Sequence, residues 1–384
     1  MVARALYIHW PFCLKKCPYC DFNSHVRDTV DVSHWQQAMI ADMRHEAELA
    51  GGEALQSIFF GGGTPSLMPP SLVGSLLDEA QDLWGFDENI EITLEANPSS
   101  VEASNFSDLV GAGVNRISVG IQSLKNERLE FLGRLHSASE ALQALEVAQA
   151  NFDRVNADFI YALPGQSISD WERDLCQAIA LGTDHLSLYQ LTIEPSTRFE
   201  SDVRKGIFTP LKDDPAADLY AITQEMTAAA GIPAYEISNY ARPRQESRHN
   251  LTYWRYQDYC GIGPGAHGRR GSLATTRHKK PENWLSAIES SGSGIDEERQ
   301  LNLQEQASEA ILMGLRLSEG IDLSQLEARF GIPQNELLDE GRLELHTSLG
   351  LIWQNGAQIG VTPAGMPLLD ALLGDLVLEE LVRA

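Results

Sequence analysis

Six short β-rich runs with amphipathic stretches between them constrain this chain more than any other feature of it. The runs are ALYIHW (5–10), SIFFGG (57–62), IEITLEAN (90–97), RISVGIQS (116–123), RVNADFIYALPG (154–165) and HLSLYQLTI (185–193). Between them, VSHWQQAMIADMRHEAEL, SLVGSLLDEAQDLW, ASEALQALEVAQA and SDWERDLCQAIALG place apolar residues at the three-and-four spacing of a helix with one buried face. Alternating βα units specify a parallel sheet with helices packed outside it. Six units are too few for a closed eightfold barrel, so the expected fold is α/β, an incomplete (β/α)6 barrel over residues 1–240. Its site should lie at the C-terminal ends of the strands. Beyond it, the strand candidate AYEISNYA (234–241), the polar RPRQESRHN and the Gly-rich GIGPGAHGRRG mark a domain edge, and 241–299 reads as a connecting segment. Residues 300–384 change to helices around a short hairpin, a smaller α+β domain of winged-helix character.

Charge narrows the function classes. A formal net charge of −25 repels nucleic acid and anionic lipid, whose recognition relies on a basic surface. The acidic tail makes an interaction or lid role the expectation for the winged-helix-like region rather than DNA binding. Apolar runs are broken well before the ~18 residues a membrane helix needs, and MVARALYIHWPFC lacks a signal-peptide layout. Cytoplasm is the expected compartment.

Five cysteines occur, and Cys13, Cys17 and Cys20 crowd into one loop, YIHWPFCLKKCPYCDFNSH. An odd count with this crowding argues for metal chemistry in a reducing compartment rather than a disulfide framework. Cys176 sits in an amphipathic helical stretch and Cys260 near glycines; both read as inert thiols, Cys176 as a buried one. C-x3-C-x2-C lets three thiolates converge, and a four-iron cube given three leaves one iron open to a non-protein ligand. In that chemistry the amino and carboxylate groups of S-adenosylmethionine (SAM) chelate the open iron. A structural zinc site with His9 or His25 as fourth ligand is the alternative on spacing alone. Tyr19, one residue before the third cysteine, completes C-x3-C-x-aromatic-C, by which the chain resembles the radical SAM superfamily.

Other polar residues fall at strand ends. FFGGGTP (59–65) offers glycines for close backbone approach to a ligand, or simply a tight strand-to-helix turn. Glu95 in EANP, Gln122, Arg134 in GRLH and Asp158 in NADFIYALPG could contact a cofactor, or serve as caps and surface ion pairs. HNLTYW supplies His249, able to ligate haem iron, and the aromatic faces of Tyr253 and Trp254; Arg242, Arg244 and Arg248 could pair with propionates. The alternative is that His249 and Asn250 cap or turn the chain while Tyr253 and Trp254 pack inside. His267 in GPGAHG is a second candidate ligand.

Together these motifs resemble the family of oxygen-independent coproporphyrinogen III dehydrogenase over nearly the whole chain. The resemblance implies SAM contacts at Tyr7, Gly62, Gly63, Thr64, Glu95, Gln122, Arg134 and Asp158, with a [4Fe-4S] cluster on the three cysteines. One departure matters: the dehydrogenase has a further cysteine two residues after the third, where this chain has Phe22. Phe22 and HNLTYW instead look like the family's haem chaperone branch, often labelled HemW. That branch implies haem binding, with HNxxYW as its proposed haem element, and delivery of haem to acceptor proteins such as membrane-bound respiratory enzymes. It also implies an electron donor for the cluster and no coproporphyrinogen decarboxylation. The competing expectation is the dehydrogenase itself, a radical oxidative decarboxylation to protoporphyrinogen IX.

Overall fold

The computed structural model describes residues 4–377 except Asp28 and Gly52; the ends of the two expected outer domains, 1–3 and 378–384, lie outside the described residues. The barrel strands are β1 (Ala5–Trp10), β2 (Leu55–Gly62), β3 (Phe86–Ala96), β4 (Arg116–Gln122), β5 (Arg154–Tyr161) and β6 (His185–Gln190). They pair in sequence order and in parallel, as the βα alternation requires. Helices α1 (Val32–Ala50), α2 (Pro70–Trp84), α3 (Ala138–Asn151), α4 (Ile168–Ala180) and α5 (Asp213–Ala229) cover the outside. Local chemistry sets where they start: α3 and α4 open with reciprocal capping boxes, Ser137 with Glu140 and Ser167 with Asp170, and α2 has Pro at its first position. Ile8, Ile58, Leu94, Ile117, Ala157 and Leu186 belong to the continuous buried core between sheet and helices.

The segment 241–299 is part of this sheet and not a connector. After β7 (Asn239–Ala241), which pairs antiparallel with β6, and the short helix α6 (Arg248–Trp254), the chain crosses to the other side of the sheet. There β8 (Tyr259–Ile262) adds in parallel to β1, and β9 (His267–Arg270), β10 (Leu273–Arg277) and β11 (Ile295–Gln300) extend it as antiparallel strands. The result is one eleven-stranded sheet, ordered β11-β10-β9-β8-β1-β2-β3-β4-β5-β6-β7. Short, polar strands such as IDEERQ carry little of the apolar alternation that reveals a strand in sequence. A buried charge cluster fastens the extension: Arg277 donates to Asp42 and Glu46 of α1 at 2.8 and 2.7 Å, and all three side chains are fully buried.

After α7 (Pro281–Ser291), the C-terminal region packs α8 (Leu303–Gly314), α9 (Leu323–Phe330), α10 (Glu340–Ser348) and α11 (Leu369–Leu376) around a three-stranded antiparallel sheet. Its strands are β12 (Ile321–Asp322), β13 (Ile352–Asn355) and β14 (Gln358–Val361), with β14 central. Ile311, Phe330, Leu337, Ile359 and Leu373 form a core separate from that of the barrel, joined by Tyr256 at the end of α6. This is the small winged-helix-like domain expected from the sequence.

Candidate functional site

The cysteine loop is moulded by the glycine motif. From β1 the chain enters a two-residue strand, Phe12–Cys13, that pairs with His25–Val26 and closes the base of the loop. Gly63 N–H donates to the Trp10 carbonyl at 2.7 Å and Thr64 N–H to the Phe12 carbonyl at 2.8 Å. Gly62 has φ +112°, and a Cβ there would stand 2.6 Å from the His9 ring; a Cβ on Gly63 would stand 2.6 Å from the Phe12 carbonyl oxygen. Both glycines are needed so that the two segments can touch.

Each cysteine sulfur faces a hydrogen-bonding group. Thr64 Oγ1 donates to Cys13 Sγ at 3.5 Å, Arg134 Nη1 to Cys17 Sγ at 3.5 Å, and Ser24 Oγ lies 3.8 Å from Cys20 Sγ. Burial pushes the Cys13 and Cys20 thiols up, the neighbouring thiolate charges add to this, and the hydrogen bonds pull back. Asn97, which the sequence reading passed over inside EANP, organises two of the donors. Its amide nitrogen donates to Thr64 Oγ1 at 3.2 Å and its oxygen accepts from Arg134. Arg134 also reaches the Tyr19 hydroxyl and the Gly120 carbonyl. Thr64 and Arg134, expected as cofactor contacts, therefore lie against the cysteines. No group of three His, Cys, Asp or Glu side chains among the described residues is arranged to hold one metal ion.

His9 is committed elsewhere. Its Nε2 donates to the Asn23 carbonyl at 2.9 Å and its Nδ1 accepts from the Tyr7 hydroxyl at 3.0 Å. Burial pushes its pKa down to about 4. The Asn23 side-chain oxygen is met by His25 Nε2 at 3.2 Å, and its amide donates to the Pro264 and Lys279 carbonyls at 2.8 Å each. This stitches the loop to the sheet extension. Phe22 stands outward, 62% exposed.

Glu95 on β3 and Asp158 on β5 face each other inside the barrel, where burial and the Asp158 charge push Glu95 up to about 8. Asp158 accepts from Ser118 Oγ at 2.9 Å and Asn156 Nδ2 at 2.6 Å, which partly offset its own burial. Gln122 ends β4 after an irregular register, Val119 opposite Ala157 and Gln122 opposite Phe159, and takes φ +64°. A non-glycine residue in that region costs energy and is held by its surroundings. Its side chain folds back over Gly120.

The HNLTYW residues lie at the opposite end of the barrel, near the strand starts. α6 closes this end, its first N–H groups at Arg248 and His249 donating to the buried carboxylate of Glu91 at 3.2 Å each. His249 is 2% exposed; its ring stacks on Phe59, with Ser57 Oγ 3.1 Å from Nδ1 and the Tyr253 hydroxyl 2.7 Å from Nε2. Burial pushes its pKa down to about 3. Both ring nitrogens are engaged in this arrangement, and Trp254 packs with Tyr235, Ala241 and Leu317. The i, i+4 spacing of His249 and Tyr253 signals a shared helix face. Arg242, Arg244, Arg248 and His267 are exposed. Cys260 is buried, but Cys176 is exposed on α4, against the expectation of burial, because it falls on the solvent face next to buried Leu175.

A family model described as Radical SAM superfamily matches residues 7–175, and one described as HemN C-terminal domain matches 301–368. The heme chaperone HemW of Escherichia coli (strain K12) is 37% identical over 387 residues, covering 98% of this chain and 98% of that protein. HemW of Bacillus subtilis (strain 168) is 31% identical over 379 residues, covering 97% and 100%. The mitochondrial radical S-adenosyl methionine domain-containing protein 1 of Mus musculus is 37% identical over 391 residues, covering 96% and 86%. The solved structure of coproporphyrinogen III oxidase (HemN) from Escherichia coli, described as a radical SAM enzyme, superimposes with TM-score 0.82 at 21% identity. It covers 97% of this chain and 90% of that one.

Proposed function

Because the chain belongs to the radical SAM superfamily and, within it, to the haem chaperone branch, we propose that it binds haem and delivers it to acceptor proteins such as respiratory enzymes. In this reading Cys13, Cys17 and Cys20 hold a [4Fe-4S] cluster, and SAM occupies the barrel mouth above Glu95 and Asp158. The observation that carries it is the cysteine loop: three sulfurs, each faced by a donor, and an exposed phenylalanine at position 22 where the dehydrogenase has another cysteine.

The residues present fit these groups. Hydrogen bonds to sulfur from Thr64, Ser24 and Arg134 stabilise thiolates and tune whatever metal they bind. Of the two histidines that could complete a zinc site, His9 has neither ring nitrogen free and His25 has its Nε2 on the Asn23 side-chain oxygen. When bound to these three cysteines, the cluster would supply one electron for reductive cleavage of a carbon–sulfur bond in SAM. The chain's own part is to position SAM. Glu95 and Asp158 offer acceptors to ribose hydroxyls or an amine, Gln122 offers both donor and acceptor, and Gly62 and Gly63 let backbone approach closely. Tyr7 fixes the His9 tautomer beneath that surface.

For haem, the HNLTYW residues are the proposed contacts, with His249 and Tyr253 as candidate ligands. Ligation by His249 requires that iron replace Tyr253 or Ser57 on a ring nitrogen, so haem binding through it opens the closed end of the barrel. Titration of the anaerobically reconstituted protein with haem tests the proposal. A saturable Soret shift at one haem per chain is expected, without protoporphyrinogen IX formation from coproporphyrinogen III. Absence of haem binding would overturn it, and formation of that product would support the dehydrogenase instead.

A further inference from the structure

A directed chain of buried hydrogen bonds runs from the HNLTYW helix to the barrel interior. Asn250 Nδ2 donates to the Tyr235 hydroxyl at 3.3 Å, and that hydroxyl stands 3.0 Å from His185 Nε2. His185 Nδ1 stands 2.6 Å from Asn156 Oδ1, and Asn156 Nδ2 donates to Asp158 Oδ1 at 2.6 Å. Tyr235, His185 and Asn156 are all less than one-tenth exposed.

The directions are fixed by chemistry. Asn156 Nδ2 faces only acceptors or hydroxyls, namely Asp158 Oδ1, Ser118 Oγ and Ser187 Oγ. Its Oδ1 is therefore the end that meets His185, and His185 Nδ1 carries the proton. His185 Nε2 is then an acceptor, and the Tyr235 hydroxyl donates to it while accepting from Asn250. Burial keeps His185 neutral, which this single-tautomer arrangement requires. Every donor points the same way, toward the Asp158 carboxylate, so each bond polarises the next. The same tyrosine is tied to the C-terminal domain, its backbone carbonyl accepting from Ser318 N–H at 3.0 Å and Ser318 Oγ at 3.3 Å.

We propose that Tyr235 and Asn250 are positioning residues for the SAM site, acting through His185 and the strength with which the Asn156 amide holds Asp158. Without the Tyr235 hydroxyl, His185 Nε2 is left a buried acceptor with no donor and the ring is no longer fixed at that edge. The Asn156 amide, still aimed at Asp158, is then less polarised and holds the carboxylate more loosely. The HNLTYW segment thereby acts on SAM from the far end of the barrel, and the asparagine of that motif has a role that needs no contact with haem. The proposal rests on the reading that Asp158 faces SAM.

The test is equilibrium binding of SAM to the reconstituted, reduced protein, followed by the change SAM causes in the cluster's EPR spectrum, with melting temperature measured alongside. Tyr235→Phe is expected to weaken SAM binding about tenfold, the scale of a lost hydrogen bond to a charged group, and Asn250→Ala to weaken it less. Tyr240→Phe is the control: it removes another buried hydroxyl, one that accepts from Gln224 at 2.9 Å and lies off the chain. It should leave the SAM titration unchanged. Equal weakening by Tyr240→Phe would mean general loosening and overturn the proposal. If Asp158→Ala weakens SAM binding while Tyr235→Phe and Asn250→Ala do not, the relay alone is wrong. If Asp158→Ala has no effect, the SAM-site reading itself falls and the relay loses its endpoint.

Discussion

Glu95 shows what a single carboxylate inside the barrel does to this protein. Its ordinary pKa of 4.5 rises to about 8 in the fold, so the folded state holds the proton more tightly than the unfolded chain. The stability this contributes is fully present below about pH 4.5 and is lost as pH rises through about 8. Glu95→Gln should therefore flatten the decline in melting temperature across that window in the cofactor-free protein. An unchanged pH profile would show that Glu95 titrates normally. At this scale the spacing of Cys13, Cys17 and Cys20 and the strand-end positions of Glu95 and Gln122 were legible, whereas Asp158, expected at a strand end, sits in the middle of β5. Asn97 was not, since its work depends on bringing Thr64 and Arg134 together across three loops, and no local pattern encodes that.

Among the elements, the short helix α6 depends on one residue. Glu91 accepts from Arg154 at 2.7 Å, from the N–H groups of Arg248 and His249, and from Ser247 Oγ at 3.3 Å, with its side chain fully buried. Positive charge on Arg116 and Arg154 holds its carboxyl below the usual range despite burial. Replacing it by alanine leaves Arg154 only its contacts with Gln245 and Glu246 and takes the acceptor from the first two N–H groups of the helix, which Ser247 still caps at Asn250. Glu91→Ala should cost about 3–5 kcal/mol in chemical denaturation; a loss under about 1 kcal/mol, the size of a surface ion pair, would contradict this account. The helices and parallel strands could be read from apolar periodicity, which the core selects directly. β9 to β11 could not, because antiparallel strands with an exposed face and a polar sequence such as IDEERQ look like loop, and β8 is a four-residue strand, YCGI, beside a Gly-rich run.

For the molecule as a whole, the formal charge of −25 outweighs the shape of its smaller domain. A winged-helix-like fold without a basic face should not retain duplex DNA, and a gel-shift titration at physiological salt should show no complex; a salt-sensitive complex would reverse this reading. The extended sheet has another consequence, in the order of events at the ribosome. β1, which leads into the cysteine loop, is synthesised about 250 residues before β8, yet its outer edge is covered only by β8, where Ala5 pairs with Tyr259. Until residues 259–262 have emerged, that edge offers unpaired backbone groups to any neighbouring strand, as unprotected edges do. The loop beside it gains its Asn23 ties to Pro264 and Lys279 later still. The walls of the cysteine site are thus completed only once residues 259–279 have emerged, so a nascent chain stalled before that point presents its three thiols on an unfinished scaffold.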